Sequence, residues 1–272
     1  MKNIKVEPKW KNSKEQIWAD HFEKIVSVEQ LVAKSPSLFS HKRRFQFAMA
    51  VAAIFAAILL IPSIYVRSFE TSIGERVTVT LPDGSGALLN SQSSISYKPL
   101  LWFSQRVVKM SGEIFYTVKS GSSFRVNSSN GVVSVLGTKF NVFSREDNFS
   151  VTCYSGMVGV EADGVDPGTT LESNTRLFRS AAGNFTTERS NLYEIKNSWV
   201  ENKFLFKAEP LKNVIDEIRR QYNISISYDE TLNYYYTGNF SKLEDPLLVL
   251  EIVTLPFELK IVLRDGVYNI VN

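Results

Sequence analysis

From Phe47 to Val66 the chain runs twenty residues without a charge. A helix of that length, at about 1.5 Å per residue, spans roughly 30 Å, the hydrocarbon thickness of a bilayer. Ten of the twenty are Leu, Ile, Val or Phe, which together favour insertion by about 3–6 kcal/mol with no charged residue opposing them. The run predicts one transmembrane helix over residues 47–66. A buried globular helix would carry polar interruptions, and a cleaved signal peptide would begin near Met1 with an apolar core of about 7–15 residues. Here 46 residues come first. Lys34, Lys42, Arg43 and Arg44 precede the run, against Arg67 and Arg76 after it, so the basic excess predicts a cytoplasmic N-terminus and a single pass.

Residues 1–44 hold ten Lys/Arg and five Asp/Glu. Ser13 and Gln16 form an S-x-x-Q capping box that predicts a helix from Lys14. Trp18, Phe22, Ile25, Val28 and Val32 then recur at helical spacing until Ser35-Pro36 stops the pattern. An arm this short has no second layer to form a core, and a lone helix of about 20 residues is marginal in water. The stripe therefore needs a partner: another protein, a second copy, or a membrane lipid face. Glu15, Asp20, Glu23 and Glu29 compete with Lys14 and Lys24 on the polar side, whereas a membrane-lying helix would be dominated by Lys and Arg. That favours a protein.

Residues 75–189 read as all-β. Short alternating runs, among them Val77 to Leu81, Val107 to Met110, Ile114 to Val118, Phe124 to Val126 and Val151 to Tyr154, are broken by turn residues. Pro82-Asp83-Gly84-Ser85-Gly86 lacks the following helix and lysine of a phosphate-binding loop, so it predicts a hairpin turn. Residues 199–272 read as a small α+β unit with the order βαβ then βαββ, its two helices on one face of a small sheet. Leu211, Val214, Ile215, Ile218 and Tyr222 give the first helix, closed by Asn223; Asp245-Pro246 opens the second; Asp265-Gly266 turns the last hairpin. The last strand, Val267 to Val271, is expected to be an open edge.

Chemistry is narrowed by what the chain lacks. Cys153 is the single cysteine and both histidines, His21 and His41, fall in the first 44 residues, so an intramolecular disulfide, a two-sulfur zinc site and a Ser-His-Asp triad in the later region are excluded. No metal or cofactor is expected. A Ser-Lys pair is left open by the residues alone.

Four blocks in order, TLPDGSGALLNSQSSISY (80–97), RVVKMSGEIFYTV (106–118), SFRVNSSNGVVSVLGTKFNV (123–142) and VTCYSGMVGVE (151–161), resemble the periplasmic domain of FecR-type anti-sigma factors. SKEQIWADHF (13–22) resembles the N-terminal arm of that family's Bacteroidetes branch. The W-x-x-x-x-F-x-F run (199–206), YNISIS (222–227) and YTGNF (236–240) resemble its C-terminal domain, which is similar to the secretin and TonB short N-terminal domain. LESNTRLFRS (171–180) stands where the family usually has a proline-glycine pair. The resemblance implies a non-enzymatic, single-pass inner-membrane protein with a periplasmic C-terminus. It implies an extracytoplasmic-function (ECF) sigma factor on Trp18, Phe22, Ile25, Val28 and Val32, and no direct contact with nucleic acid. It also implies a TonB-dependent outer-membrane receptor's signalling domain on the C-terminal unit, where Val267, Tyr268, Asn269, Ile270 and Val271 offer a strand. Gly137-Thr138 sits where some members are thought to cleave themselves. The alternatives from other classes are a membrane-anchored periplasmic hydrolase and a structural envelope protein.

Overall fold

The computed structural model describes residues 12–20, 41–180, 183–189, 199–229 and 231–271. Residues 14–20 form helix α1, and His41–Ile64 forms helix α2.

Helix α2 corrects the largest expectation from sequence. Among the described residues no helix is long and apolar enough to cross a membrane. Helix α2 opens on His41, Lys42, Arg43 and Arg44 and ends at Ile64, so it stops before the uncharged run does; after Tyr65 and Val66 the chain enters a strand at Arg67. Six residues of the run are alanine, each of which removes only a methyl group from water. This overturns the expected single-pass layout and, with it, inner-membrane placement, the cytoplasmic N-terminus opposite a periplasmic C-terminus, and lipid as a partner.

The β region is built around one long strand. Strand β5 (Arg106–Thr117) alternates buried and more exposed residues along its length, as a strand with one face on a core must. Its first half lies between β4 (Ser94–Tyr97) and, in parallel, β6 (Phe124–Asn127). Its second half lies between β3 (Gly86–Leu89) and β8 (Lys139–Arg145). The ladder changes partners between Ser111 and Gly112. Gly112 has φ +90°, and a Cβ there would lie 2.7 Å from Gln92 O and Ser93 Cα, so only glycine serves at this bend.

From β5 the sheet runs one way through β6, β7 (Val132–Val135) and β10 (Met157–Glu161) to β11 (Thr170–Glu172). The other way it passes through β8, β9 (Asn148–Ser155) and β12 (Thr175–Arg179) to β13 (Phe185–Arg189). Strand β1 (Arg67–Glu70) joins β4, and β2 (Val77–Thr80) joins β3 across the Pro82 to Gly86 segment, which is a hairpin turn. One buried cluster draws on all these strands; Tyr116 stacks on Phe140 at 5.0 Å, and Trp102 and Phe124 meet edge to face.

The C-terminal unit divides its strands between two sheets, where sequence suggested one. Strand β14 (Lys203–Pro210) pairs with β16 (Tyr235–Ser241). Strand β15 (Ser225–Ser227) runs parallel to β18 (Val267–Val271), and β17 (Lys260–Arg264) pairs with β18 on its other side. Helix α3 (Leu211–Tyr222) buries Leu211, Val214, Ile215 and Ile218 against Val249, Leu250 and Val253 of helix α4 (Pro246–Thr254) and against Phe204 and Tyr236. Asn223, left-handed at φ 54°, ends α3 by donating its N–H to Arg219 O, and Asp245 caps α4 by accepting from Leu247 N at 2.9 Å. Of the three consecutive tyrosines, Tyr236 is buried in this core while Tyr234 and Tyr235 are exposed.

Candidate functional site

The arm begins as its sequence reads. Ser13 N donates to Gln16 Oε1 and Gln16 N donates to Ser13 Oγ, both at 3.3 Å, a reciprocal cap that satisfies two first-turn donors. Trp18 follows on α1 with 58% of its surface exposed. Phe22, Ile25, Val28 and Val32 lie outside the described residues.

Gly137-Thr138 lies between β7 and β8. Thr138 is buried, its Oγ1 donates to Met157 O at 3.0 Å, and its carbonyl accepts from Val118 N. Gly137 has an ordinary φ, so space rather than backbone freedom requires it: a Cβ would lie 2.6 Å from Ser120 Oγ and 2.7 Å from Ser120 Cα.

Strand β18 is not an edge. Val267, Tyr268 and Asn269 pair with β15 on one side while the whole strand pairs with β17 on the other. Sequence could not show this, because β15 is only three residues long and nothing in it specifies which neighbour it joins.

The densest polar site joins the β region to the end of α3. Arg76 reaches across it: one terminal nitrogen donates to Trp199 O at 2.8 Å and Asn202 Oδ1 at 2.7 Å, the other to Gln221 Oε1 at 2.7 Å. Its guanidinium also sits 5.4 Å from the Trp199 ring centre. Gln221, 2% exposed, donates from Nε2 to Asn90 Oδ1 at 2.8 Å and to Glu217 Oε1 at 2.7 Å. Asn90 in turn donates to Glu113 Oε2, and Asn141 donates to Glu113 Oε1, each at 2.8 Å.

Beside this network, groups of the β region and Lys242 of the C-terminal unit satisfy carbonyls at the helix end. Gly74 N and Ser91 Oγ both donate to Arg220 O, and Lys242 Nζ donates to Gln221 O, which would otherwise be among the unpaired last carbonyls of α3. Arg145 ties down the facing turn through Ser91 O and Gln92 O.

Burial shifts the charged groups of the site toward their neutral forms. Burial pushes the Glu113 carboxyl above its ordinary value, and the Glu217 charge pushes it further the same way; the Asn90 and Asn141 amides and Arg145 pull it back. Burial likewise lowers Arg76 and Arg145. The sequence carried one sign of this site: Gln221 falls three residues after Ile218, a polar residue on the buried stripe of an amphipathic helix.

Two family models match the chain in order. FecR protein covers residues 67–159, and FecR, C-terminal covers residues 203–265. The chain belongs to the FecR-type anti-sigma factor family. Its fold is similar to two solved structures of candidate anti-sigma factors from Parabacteroides distasonis, each at 22% identity. One superposes with a TM-score of 0.70 over 76% of this chain and 99% of that one; the other gives 0.68 over 75% and 98%. Comparison with curated proteins gave no match. FecR-type membership makes the chain a sigma regulator and a non-enzymatic protein, which sets the hydrolase reading aside. The Ser85 hydroxyl accepts from the Lys119 backbone N–H and donates to Asp83, a structural arrangement within the β2–β3 turn. The FecR match takes in the β5 bend and the Gly137-Thr138 pair; the C-terminal match takes in α3, with Glu217 and Gln221.

Proposed function

We propose that this FecR-type chain holds an ECF-class sigma factor on the Trp18, Phe22, Ile25, Val28 and Val32 stripe, and that its C-terminal unit receives the signalling domain of a TonB-dependent outer-membrane receptor. The observation that carries the reading is the capped helix α1 with Trp18 exposed, on a chain whose remaining parts match two FecR models in order. An exposed indole on a short helix gains about 1.5–3 kcal/mol when a partner buries it. The polar network around Gln221 supports the second half: it fixes the C-terminal unit to the β region through many short hydrogen bonds, so force or displacement at one is felt by the other.

The test is co-purification of the full chain from its own cells. A sigma factor should elute with the wild type and be reduced tenfold or more with the Trp18→Ala, Phe22→Ala double variant. Equal recovery with both chains overturns the stripe, and absence of any sigma factor from the wild-type eluate overturns the role.

A second reading concerns Gly137-Thr138. The Thr138 hydroxyl is buried and already bonded to a carbonyl acceptor, and self-cleavage at this bond would divide the chain within the β region.

A further inference from the structure

The three-stranded sheet has β15 at one edge and β17 at the other; β17 is the longer of the two, and among the described residues it pairs with β18 and with no other strand. The hairpin loop between them is Asp265-Gly266, with φ +50° and +75°, the two positive values of a type I′ turn. A two-residue loop of this type makes Arg264 and Val267 a hydrogen-bonded pair, and antiparallel pairs alternate. Val262 therefore faces β18 with its backbone groups, while the N–H and C=O of Ile261 and Leu263 point away from the sheet. Leu263 is 59% exposed, and Ile261 and Val262 are half-buried.

The ends of this edge are both basic. Lys260 and Arg264 are exposed, and among the described residues neither enters an ion pair. A second copy pairing antiparallel about Val262 would set Lys260 opposite Arg264 twice, and like charges in direct cross-strand pairs are destabilising. The edge thus resists pairing with itself. No stretch of this chain supplies a complement, since no two of its Asp or Glu residues stand four apart.

We propose that the β17 edge takes up an extended segment of another protein, with an apolar centre and Asp or Glu at both ends, as an added strand. This rests on the reading that the C-terminal unit docks a partner, and it moves the docking edge from β18 to β17. The incoming backbone would pair with Ile261 and Leu263, its central apolar side chains would cover Leu263, and its acidic ends would meet Lys260 and Arg264.

The full chain is titrated with a designed β-hairpin whose free strand reads Glu-Val-Thr-Val-Glu, and with the same hairpin carrying Lys at both ends, while amide exchange is followed by NMR. The acidic hairpin should slow exchange at Ile261 and Leu263 tenfold or more, and the basic one should leave both unchanged. Leu263→Pro removes an outward donor without breaking the β18 ladder and should abolish the protection. Lys260→Glu with Arg264→Glu should reverse the preference between the hairpins, and serves also if the proline variant fails to fold. Equal protection by both hairpins, or by neither, overturns the proposal. The receptor signalling domain is then tested on the same chains. If it binds wild type and the charge-reversed chain equally, the receptor docks elsewhere and the β17 edge is not its site. If only the acidic hairpin binds, the edge stands and the receptor reading falls.

Discussion

Gln221 Nε2 donates to Asn90 Oδ1 at 2.8 Å across 131 residues of sequence. The same amide nitrogen donates to Glu217, and its oxygen accepts from Arg76, so one side chain at the end of α3 satisfies partners on both sides of the joint. Removing it takes one partner each from buried Asn90 and from half-buried Glu217 and Arg76, and a hydrogen bond to a charged group contributes about 1.5–3 kcal/mol. Gln221→Ala should therefore lower the urea midpoint and split one unfolding transition into two, with residues 203–271 melting first. The check is tryptophan fluorescence and far-UV circular dichroism recorded on the same samples; a single coincident transition at the wild-type midpoint would contradict it.

The joint also sets a pH dependence. Burial and the Glu217 charge raise the Glu113 carboxyl in the folded chain. A carboxyl raised by folding binds its proton more tightly in the native state, so its contribution to stability is fully present below the unfolded value. That contribution is lost as pH rises through the folded value. Stability attributable to Glu113 should thus fall as pH climbs out of the ordinary carboxylate range. Protonated Glu113 also has an acceptor at hand, because Asn141 Oδ1 is buried with no partner among the described residues and a turned amide would present it. Glu113→Gln should flatten the slope of stability against pH relative to wild type. Urea titrations of both chains from acid to neutral pH measure that difference, and parallel curves would exclude Glu113 as its source.

How far sequence reached can be judged at these residues. Alternation marked Val107 to Met110 and Ile114 to Val118 as two runs with a turn between them, where the structure has the single strand β5 changing partners at Gly112; helical spacing located Leu211 to Ile218; Ser13, Asn223, Asp245 and Gly266 marked ends and turns that the structure contains. All of these are local, set by backbone sterics and one face of one element. Partners were not legible. Nothing near Glu113 in sequence announces Asn90, Asn141 or Glu217, and nothing in Ile224 to Tyr228 tells which side of β18 it will occupy. The uncharged run misled because absence of charge does not show where a helix ends: α2 stops at Ile64, short of Val66, and six residues of the run are alanine.

Arg106 anchors the β2–β3 turn. Its guanidinium lies 2.5 Å from Asp83, with side chains 7% and 19% exposed, and it also donates to Ser122 O and Lys119 O. Burial alone would raise Asp83, but hydrogen bonds from Ser85 and Arg106 hold it below its ordinary value. Breaking a buried pair from one side strands the other charge, at about 3–5 kcal/mol. Arg106→Ala should destabilise the β region by that order in urea denaturation. Asp83→Asn should cost less and should remove the loss of stability that wild type shows as pH falls through the depressed Asp83 value.

Self-cleavage at Gly137-Thr138, as proposed, would follow a defined chemical course. Thr138 Oγ would attack the Gly137 carbonyl carbon; the C–N bond breaks as the hydroxyl proton passes to the leaving amine; water then hydrolyses the resulting ester to a Gly137 carboxylate and restores the threonine hydroxyl. In the intact fold that hydroxyl donates to Met157 O, so the attack requires it to turn from one carbonyl toward another. Gly156 stands beside both groups, where a Cβ would lie 2.9 Å from Thr138 Oγ1 and 3.1 Å from Gly137 O, and its absence leaves the room for that turn. Two fragments that together account for the chain should appear by denaturing mass spectrometry, the second beginning at Thr138. Thr138→Val keeps the shape without the nucleophile and should give one intact mass, whereas Thr138→Ser keeps the nucleophile and should restore the fragments. An intact wild-type mass after prolonged incubation, or fragments that persist in Thr138→Val, would show that the buried hydroxyl serves only to pin β8 to the Met157 turn.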